Sequence, residues 1–424
     1  MFQNFLTKFK LVITDPTLRR RILFVFGALF VFRLGASIPI PGVNVLALQR
    51  FFADNQFLNL LNLFSGGGLS NLSVFMLGVG PYITATIIMQ LLTIMSPRLK
   101  ELYQESGELG RRKFSQYARF ITVPLACLQG FGLLALLSQQ GVLGDLTTFD
   151  KAVSIIVIAA GSVLLMWIGE LINEYGIGNG TSLIIFAGIV AGIPASISQV
   201  LINFDVASLH VYAVYLVAAV LIIAGVVIMT EAERPIPITY AKRVRGMRVY
   251  GGVSTYLPIR LNQAGVMPII FALSILLFPQ MIVNFLSQVS NVTIRSIADF
   301  VLVLLNNQWF YAIAYFLLVF LFTYFYSAIT FDPAAISDNL QKSGAFIPGI
   351  RPGQPTSDHL ARTVTRLTLV GALFLGIVAM LPILVQAITG ISSLAIGGTA
   401  LLIVVSVALD FTKQVDSQLS MREY

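Results

Sequence analysis

The run Gly176-Ile177-Gly178-Asn179-Gly180 comes nearest to a ligand-binding motif in this 424-residue chain, because its glycines are spaced like a phosphate-cradling turn. Such turns present backbone N–H groups between a strand and the start of a helix. Here no strand-like run precedes the glycines and an apolar stretch opens at Thr181, so a tight turn between helices fits better. No GxxxxGK[ST] or HExxH run occurs, and the chain has no metal-spaced set of Cys and His. His210 lies near the end of an apolar stretch and His359 in a loop. The single Cys127 has no internal disulfide partner and reads as a packed apolar residue. Ion- or proton-coupled transport usually places carboxylates deep in a membrane. The acidic residues that touch apolar stretches, Glu170 and Asp410, stand at their ends. Neither a cofactor nor a metal is expected, and the chain itself should hydrolyse nothing.

Arg33 is the one ionisable group well inside an apolar stretch. It would cost about 2.5–3.5 kcal/mol on insertion scales if it sat at the centre of a bilayer. Pairing with backbone carbonyls of neighbouring helices, or snorkelling toward the surface, accounts for it more simply than a direct role in lining a water-filled path.

The elements that must position these residues are membrane-spanning helices. Hydrophobic residues make up 57% of the chain against 11% charged, and the mean hydropathy is +0.85, which describes a chain whose solvent is mostly lipid. A window of roughly 20 apolar residues selects spans at 22–40, 75–95, 118–138, 152–172, 181–202, 211–230, 264–286, 309–330, 367–385 and 391–410. Arg19 to Arg21 ahead of the first stretch imitate a signal peptide, but Arg33 interrupts the apolar run and nine spans follow. It reads as a retained helix.

Charge fixes the orientation. Of 27 Lys and Arg, 23 fall in one alternating set of segments: five before the first span, six within 98–119, six within 234–260, four within 342–366 and two in the tail. Arg50, Lys151 and Arg295 lie opposite. The positive-inside rule then places both termini in the cytoplasm. The net charge of +8 measures this asymmetry and does not require nucleic acid as a partner. Ten spans divide near residue 205 into halves 1–205 and 206–424. Because five is odd, a repeat of five helices must re-enter the membrane inverted, although no residue-level repeat is visible and a plain ten-helix bundle remains open. The segments 231–263 and 331–366 are far longer than the other loops on that side and are where a soluble partner would bind.

Between the first two spans lies FLNLLNLFSGGGLSNLSV, Phe57 to Val74. Phe57, Leu60, Leu61 and Phe64 recur at i, i+3, i+4 and i+7, which favours a short amphipathic helix too short to span a bilayer. Gly66, Gly67 and Gly68 follow as a mobile hinge. The segment is either an interfacial helix lying flat or a re-entrant piece that fills a cavity and can leave it. Irregular backbone at membrane depth requires protein or water around it.

An ordered series of motifs carries a resemblance: Phe64-Ser65-Gly66-Gly67, Gly80-Pro81-Tyr82-Ile83-Thr84-Ala85, Gly107 to Lys113 (GELGRRK), Gly176 to Ala187 (GIGNGTSLIIFA), Tyr240-Ala241-Lys242-Arg243 and Gly344 to Gly353 (GAFIPGIRPG). Together they resemble the SecY/Sec61 family, the pore subunits of protein-conducting channels, over essentially the whole chain. The resemblance implies an all-α polytopic fold of ten transmembrane helices in two inverted five-helix halves that close around an hourglass pore. It implies a plug at about 57–73, including Phe57, Leu60, Leu61, Phe64, Ser65, Gly66, Gly67 and Gly68. It also implies an apolar pore ring at Val79, Ile83, Thr181, Ile185, Ile270 and Ile403, where Thr181 departs from the usual isoleucine. Apolar side chains in a narrow neck dewet it and block ions, yet part around a peptide without binding it.

The same resemblance implies a lateral gate toward lipid between the helix from Val74 to Met95 and the one from Gly265 to Ile282, with Tyr82, Thr86, Gly265, Pro268 and Phe271 at it. Gly265, Pro268 and Pro279 would loosen or kink the second helix, or serve ordinary packing. The long loops would dock the SecA motor ATPase and the ribosome through Arg243, Arg248 and Arg351. An arginine binds carboxylate or phosphate bidentately and suits either partner; alternatively these charges only enforce topology. Small membrane subunits resembling SecE and SecG, preproteins with signal sequences and the lipid bilayer complete the implied partners, in a bacterial cytoplasmic membrane. The function expected is a passive, gated conduit for unfolded preproteins that releases hydrophobic segments sideways into lipid. Its competitor from another class is an inverted-repeat secondary transporter of a small solute. The missing deep carboxylates and the mostly apolar ring argue against that competitor.

Overall fold

The computed structural model describes residues 14–40, 62, 65–69, 71–104, 107–139, 142–143, 147–202, 209–240, 243–245, 248–250, 254–286, 292–389 and 397–420. The helices are α1 (Pro16–Ala36), α2 (Gly80–Met95), α3 (Pro97–Gln104), α4 (Gly107–Gln139), α5 (Thr148–Tyr175), α6 (Gly180–Ile202), α7 (Leu209–Glu231), α8 (Met267–Leu286), α9 (Val292–Asn306), α10 (Gln308–Thr330), α11 (Pro333–Lys342), α12 (Gln354–Thr389) and α13 (Gly397–Ser420). Each apolar stretch of the sequence overlaps one of them. By length and composition, Leu109–Ala135, Thr148–Tyr175, Gln308–Lys342 and Gln354–Leu381 are long and apolar enough to cross a membrane. Gly180–Pro194, Leu216–Glu231 and Met267–Leu276 are shorter apolar helical segments.

Local chemistry explains several helix starts. Asp15 accepts from the Thr17 backbone N–H at 2.9 Å with Pro16 in the first turn, satisfying donors that the helix leaves open. Thr147 and Asp150 form a reciprocal capping box at the start of α5. Asn307 and Asp332 cap α10 and α11 as Asp15 caps α1, each accepting from two backbone N–H groups of the first turn.

The helix of the proposed gate is shorter than 74–95. Residues 74–79 are turns, with Gly78 at φ 59° and its N–H donating to Phe75 O at 2.8 Å, and α2 begins only at Gly80. The second gate helix begins at Met267, so Gly265 precedes it and Pro268 lies in its first turn, where a missing N–H costs nothing. Neither residue kinks the helix. Pro279 alone is interior.

One large core cluster joins α1, α2, α5, α6, α7, α8, α10, α12 and α13. A second cluster, of Ile40, Leu69, Leu72, Met76, Leu77, Leu133, Leu134, Leu137, Val142, Leu143 and Ile158, lies wholly within the first 160 residues. Outside these cores, large apolar side chains face outward, among them Phe26, Phe120, Trp167, Leu221, Trp309 and Leu321. Such surfaces suit hydrocarbon and would drive a soluble protein to aggregate.

The two long loops are not irregular. Strands β1 (Glu233–Tyr240), β2 (Arg243–Arg245), β3 (Arg248–Tyr250) and β4 (Ser254–Arg260) fill the first, and β5 (Ala345–Phe346) belongs to the second. The order β4-β1-β5 makes one three-stranded antiparallel sheet from both loops, while β2 and β3 form a separate hairpin. Ile236, Ile259, Ile347, Leu360 and Val364 give the sheet its own small core.

Candidate pore, plug and docking surface

Val79 lies in the turn before α2, Ile83 in the first turn of α2, Ile185 in α6, Ile270 in α8 and Ile403 in α13. All five belong to the large core cluster and none is more than 6% exposed. Residues distant in sequence are thereby buried in the same large core cluster. Thr181 stands apart: it is half-buried at the start of α6, where its N and Oγ1 lie 3.5 and 3.6 Å from the Cβ position of Gly169 on α5.

The glycine-rich turn at 176–180 is a helix connector. The Gly180 N–H donates to Asn173 Oδ1 at 2.7 Å and the Ser182 N–H to Asn179 Oδ1 at 3.2 Å, so donors that would hold a phosphate are used internally. A side chain on Gly180 would collide with the Gly169 carbonyl, which is how α5 and α6 approach so closely.

Of the expected plug, Phe57, Leu60, Leu61 and Phe64 lie outside the described residues. Ser65 to Gly68 form a bonded turn rather than a loose hinge. Gly67 N donates to Asn62 O at 2.9 Å, Gly68 N to Ser65 O at 3.2 Å, and the Ser73 hydroxyl to Gly68 O at 2.9 Å. The strand-like bridge of Pro39 with Ser73, with Ile40 N donating to Leu72 O at 2.9 Å, stitches this turn to the chain leaving α1. Arg33 Nη1 donates to Gly66 O at 3.0 Å. The guanidinium therefore pairs with a backbone carbonyl, but the carbonyl belongs to this turn and not to a helix.

At the expected gate, α2 packs against α8. Phe271 is buried with its ring edge-on to Phe322 and Tyr326 of α10, at centroid distances of 6.1 and 5.8 Å. Its side chain ties α8 to α10. The Thr86 hydroxyl donates to Tyr82 O at 2.9 Å within α2. Tyr82 shares a polar cluster with Ser115 and Arg119 of α4 and Glu170 of α5. There Arg119 Nε donates to Glu170 Oε1 at 2.6 Å, which neutralises the carboxylate that touches a span. Gly265, at φ 60° with open space around its Cβ position, is required by backbone conformation. Sequence reasoning passed over Gln90 on α2, a polar side chain 8% exposed whose Oε1 has no hydrogen-bond partner among the described residues. Its signal was one amide in an otherwise apolar run.

Arg243 and Arg248 lie in the β2–β3 hairpin, where Arg243 is opposite Tyr250 and Arg248 opposite Arg245. Arg351 is exposed in a turn whose backbone is pinned on both sides. The Thr356 hydroxyl donates to Arg351 O at 2.8 Å and the Ser337 hydroxyl to Gly353 O at 2.7 Å. Among the other arginines of the first loop, Arg260 is engaged by Glu233 at 3.5 Å across β1 and β4.

The molecule is a helical bundle with a lipid-suited surface and a folded sheet on its two long loops. The family model SecY matches residues 73–412. The chain is 44% identical to the protein translocase subunit SecY of Mycobacterium bovis over 96% of both chains. It is 46% identical to that of Thermus thermophilus over 96% of this chain and 94% of the relative. This chain belongs to the SecY family. Among solved structures it is similar to a protein-conducting channel, with TM-score 0.66 and 19% identity over 96% of this chain and 94% of the other. It is also similar to Sec61 in the canine ribosome-channel complex, with TM-score 0.64 and 19% identity over the same shares of the two chains. The fold is that of the SecY/Sec61 channels.

Proposed function

We propose that this chain is the central channel subunit of a protein translocase, passing unfolded preproteins across the membrane and releasing hydrophobic segments laterally into lipid. The observation that carries this reading is the convergence of Val79, Ile83, Ile185, Ile270 and Ile403 in one buried cluster. A neck lined mostly by aliphatic groups, with Thr181 as its one polar member, offers little to hold a solute or ion. It seals by excluding water and opens by separation of side chains. The helices divide into halves 1–205 and 206–424. Thr181 marks the more hydrated edge of the ring.

The segment 57–73 acts as the plug, and α2 and α8 flank the lateral gate, with Tyr82, Thr86, Gly265, Pro268 and Phe271 near it. The sheet that joins the long loops presents Arg351 to a soluble motor, with Arg243 and Arg248 on the hairpin beside it. That motor is SecA-like and supplies the energy of ATP hydrolysis, because the channel chain itself is not an enzyme. The ribosome is the second visitor to the platform, and one matched channel is described as bound in a canine ribosome-channel complex. SecE-like and SecG-like subunits accompany the chain. Bacterial sources of the relatives and the basic long loops support a bacterial cytoplasmic membrane with both termini inside.

Vesicles containing the purified translocase test this against the solute-transporter alternative. Preprotein should become protease-protected only with motor and ATP, and no small solute should accumulate saturably under an ion gradient. Saturable solute uptake without preprotein protection would reverse the assignment.

A further inference from the structure

We propose that Arg33 is a latch that holds the plug closed through the Gly66 carbonyl, and that Gly188 of α6 is the side-chain-free seat on which Gly66 rests. The inference rests on reading 57–73 as the plug and adds the contacts that keep it in place.

Three surfaces close around Gly66. Arg33 Nη1 donates to its carbonyl at 3.0 Å. A Cβ on Gly66 would run into the ring of Phe32, a residue with no exposed surface, and would lie 3.2 Å from Gly188 Cα. A Cβ on Gly188 would in turn run into Gly66 Cα. Two glycines thus meet backbone to backbone, and Gly66 holds φ 66°, which other residues rarely adopt. The latch and the seat are specific for one position of this turn, since a shift of a fraction of a side chain's width breaks both.

Arg33 is exposed as a residue, while its bond to Gly66 O is part-buried and takes a carbonyl of the turn rather than of a helix. The bond exists only while the turn is seated, so it favours the closed state. The neighbours of Gly66 come from α1 and α6. Leu69, Leu72, Met76 and Leu77 belong to the second core cluster, whose described members all lie in the first 160 positions. Separation of α2 from α8 alone leaves these contacts intact, so release of the plug is a distinct step that breaks the Arg33 bond.

The test uses the purified translocase complex in planar bilayers, with resting ion conductance as the readout, in the full chain and in a chain lacking residues 57–67. Arg33→Gln should raise the leak of the full chain about tenfold, as expected for loss of a charge-assisted hydrogen bond. Arg33→Lys, which keeps a charged donor where glutamine keeps only a neutral and shorter one, should stay tight. Arg33→Gln should add nothing in the chain lacking 57–67, because its acceptor is gone. Gly188→Val, which changes no charge, should leak like Arg33→Gln.

A leaky deletion with tight Arg33→Gln and Gly188→Val chains overturns the latch while sparing the plug. An equal further leak from Arg33→Gln in the deleted chain also overturns it, by placing the arginine's role elsewhere. A tight deletion removes the plug reading and the latch with it. If Arg33→Gln fails to accumulate, Gly188→Val decides alone, and a tight Gly188→Val chain contradicts the proposal.

Discussion

Thr239 in the first long loop pairs with Phe346 in the second, in the same antiparallel ladder that pairs Tyr240 with Ala345. The two largest loops are therefore one body, and a force applied to either is felt by both. Thr239 also pairs with Ser254 on its other side, which makes β1 the centre of the sheet.

Thr239→Pro should uncouple the loops, because proline in a central strand removes a ladder donor. Preprotein-stimulated ATPase of the motor should fall while insertion of the chain in the membrane persists. Unchanged stimulation would mean that the loops act separately.

Arg351→Glu should abolish that stimulated ATPase outright, since the side chain is exposed in a turn whose backbone is held by Thr356 and Ser337 and contributes little to folding. Protein level and thermal stability should be unchanged. Normal stimulation would assign the arginine to topology alone.

Ile83→Ser and Ile185→Ser should each raise resting conductance. Each introduces a hydroxyl into a cluster that excludes water and removes a side chain worth about 1.5–3 kcal/mol of burial. Conductance equal to that of the parent chain would remove these positions from the seal.

Deleting 57–73 should raise ion leak or relax discrimination among signal sequences, because it removes the turn that is bonded to Arg33 and seated against Gly188. Unchanged conductance together with unchanged substrate choice would contradict the plug.

Arg119→Ala should lower thermal stability in detergent by about 1 kcal/mol. The ion pair is short, but Arg119 keeps 42% of its side chain exposed and solvent screens it. Glu170, at 15%, is the partner left to find water. A loss several times larger would indicate that Tyr82 and Ser115 depend on the pair as well.

The spans were legible because a bilayer demands long apolar runs, and each of the ten runs overlaps a described helix, four of which are long and apolar enough to cross a membrane. The sheet was not legible. Its central strand reads Glu233-Arg234-Pro235-Ile236-Pro237, and two prolines argue against a central strand unless its pairing is known. Its third strand has two residues, too few for any period. Helix α9, Val292–Asn306, escaped notice because 15 residues cannot span a bilayer and Arg295 and Asp299 break its apolar run. The apolar ring was named by resemblance, and its convergence needs the tertiary fold. Arg33 stood out as a charge within an apolar run, but its acceptor lies 33 residues away in the chain. Gly188 carried no signal, since one glycine in an apolar helix looks like any other until Gly66 is placed against it.

The central claim is that an unfolded chain passes through the aliphatic neck. Site-specific photo-crosslinking from Ile83 and Ile185 to an arrested, radiolabelled secretory chain, in vesicles with the motor and ATP, tests it most directly. The account predicts crosslinks from both positions, lost without ATP or without the signal sequence. Absence of crosslinks from either position, in vesicles whose motor is shown to be active, would contradict it.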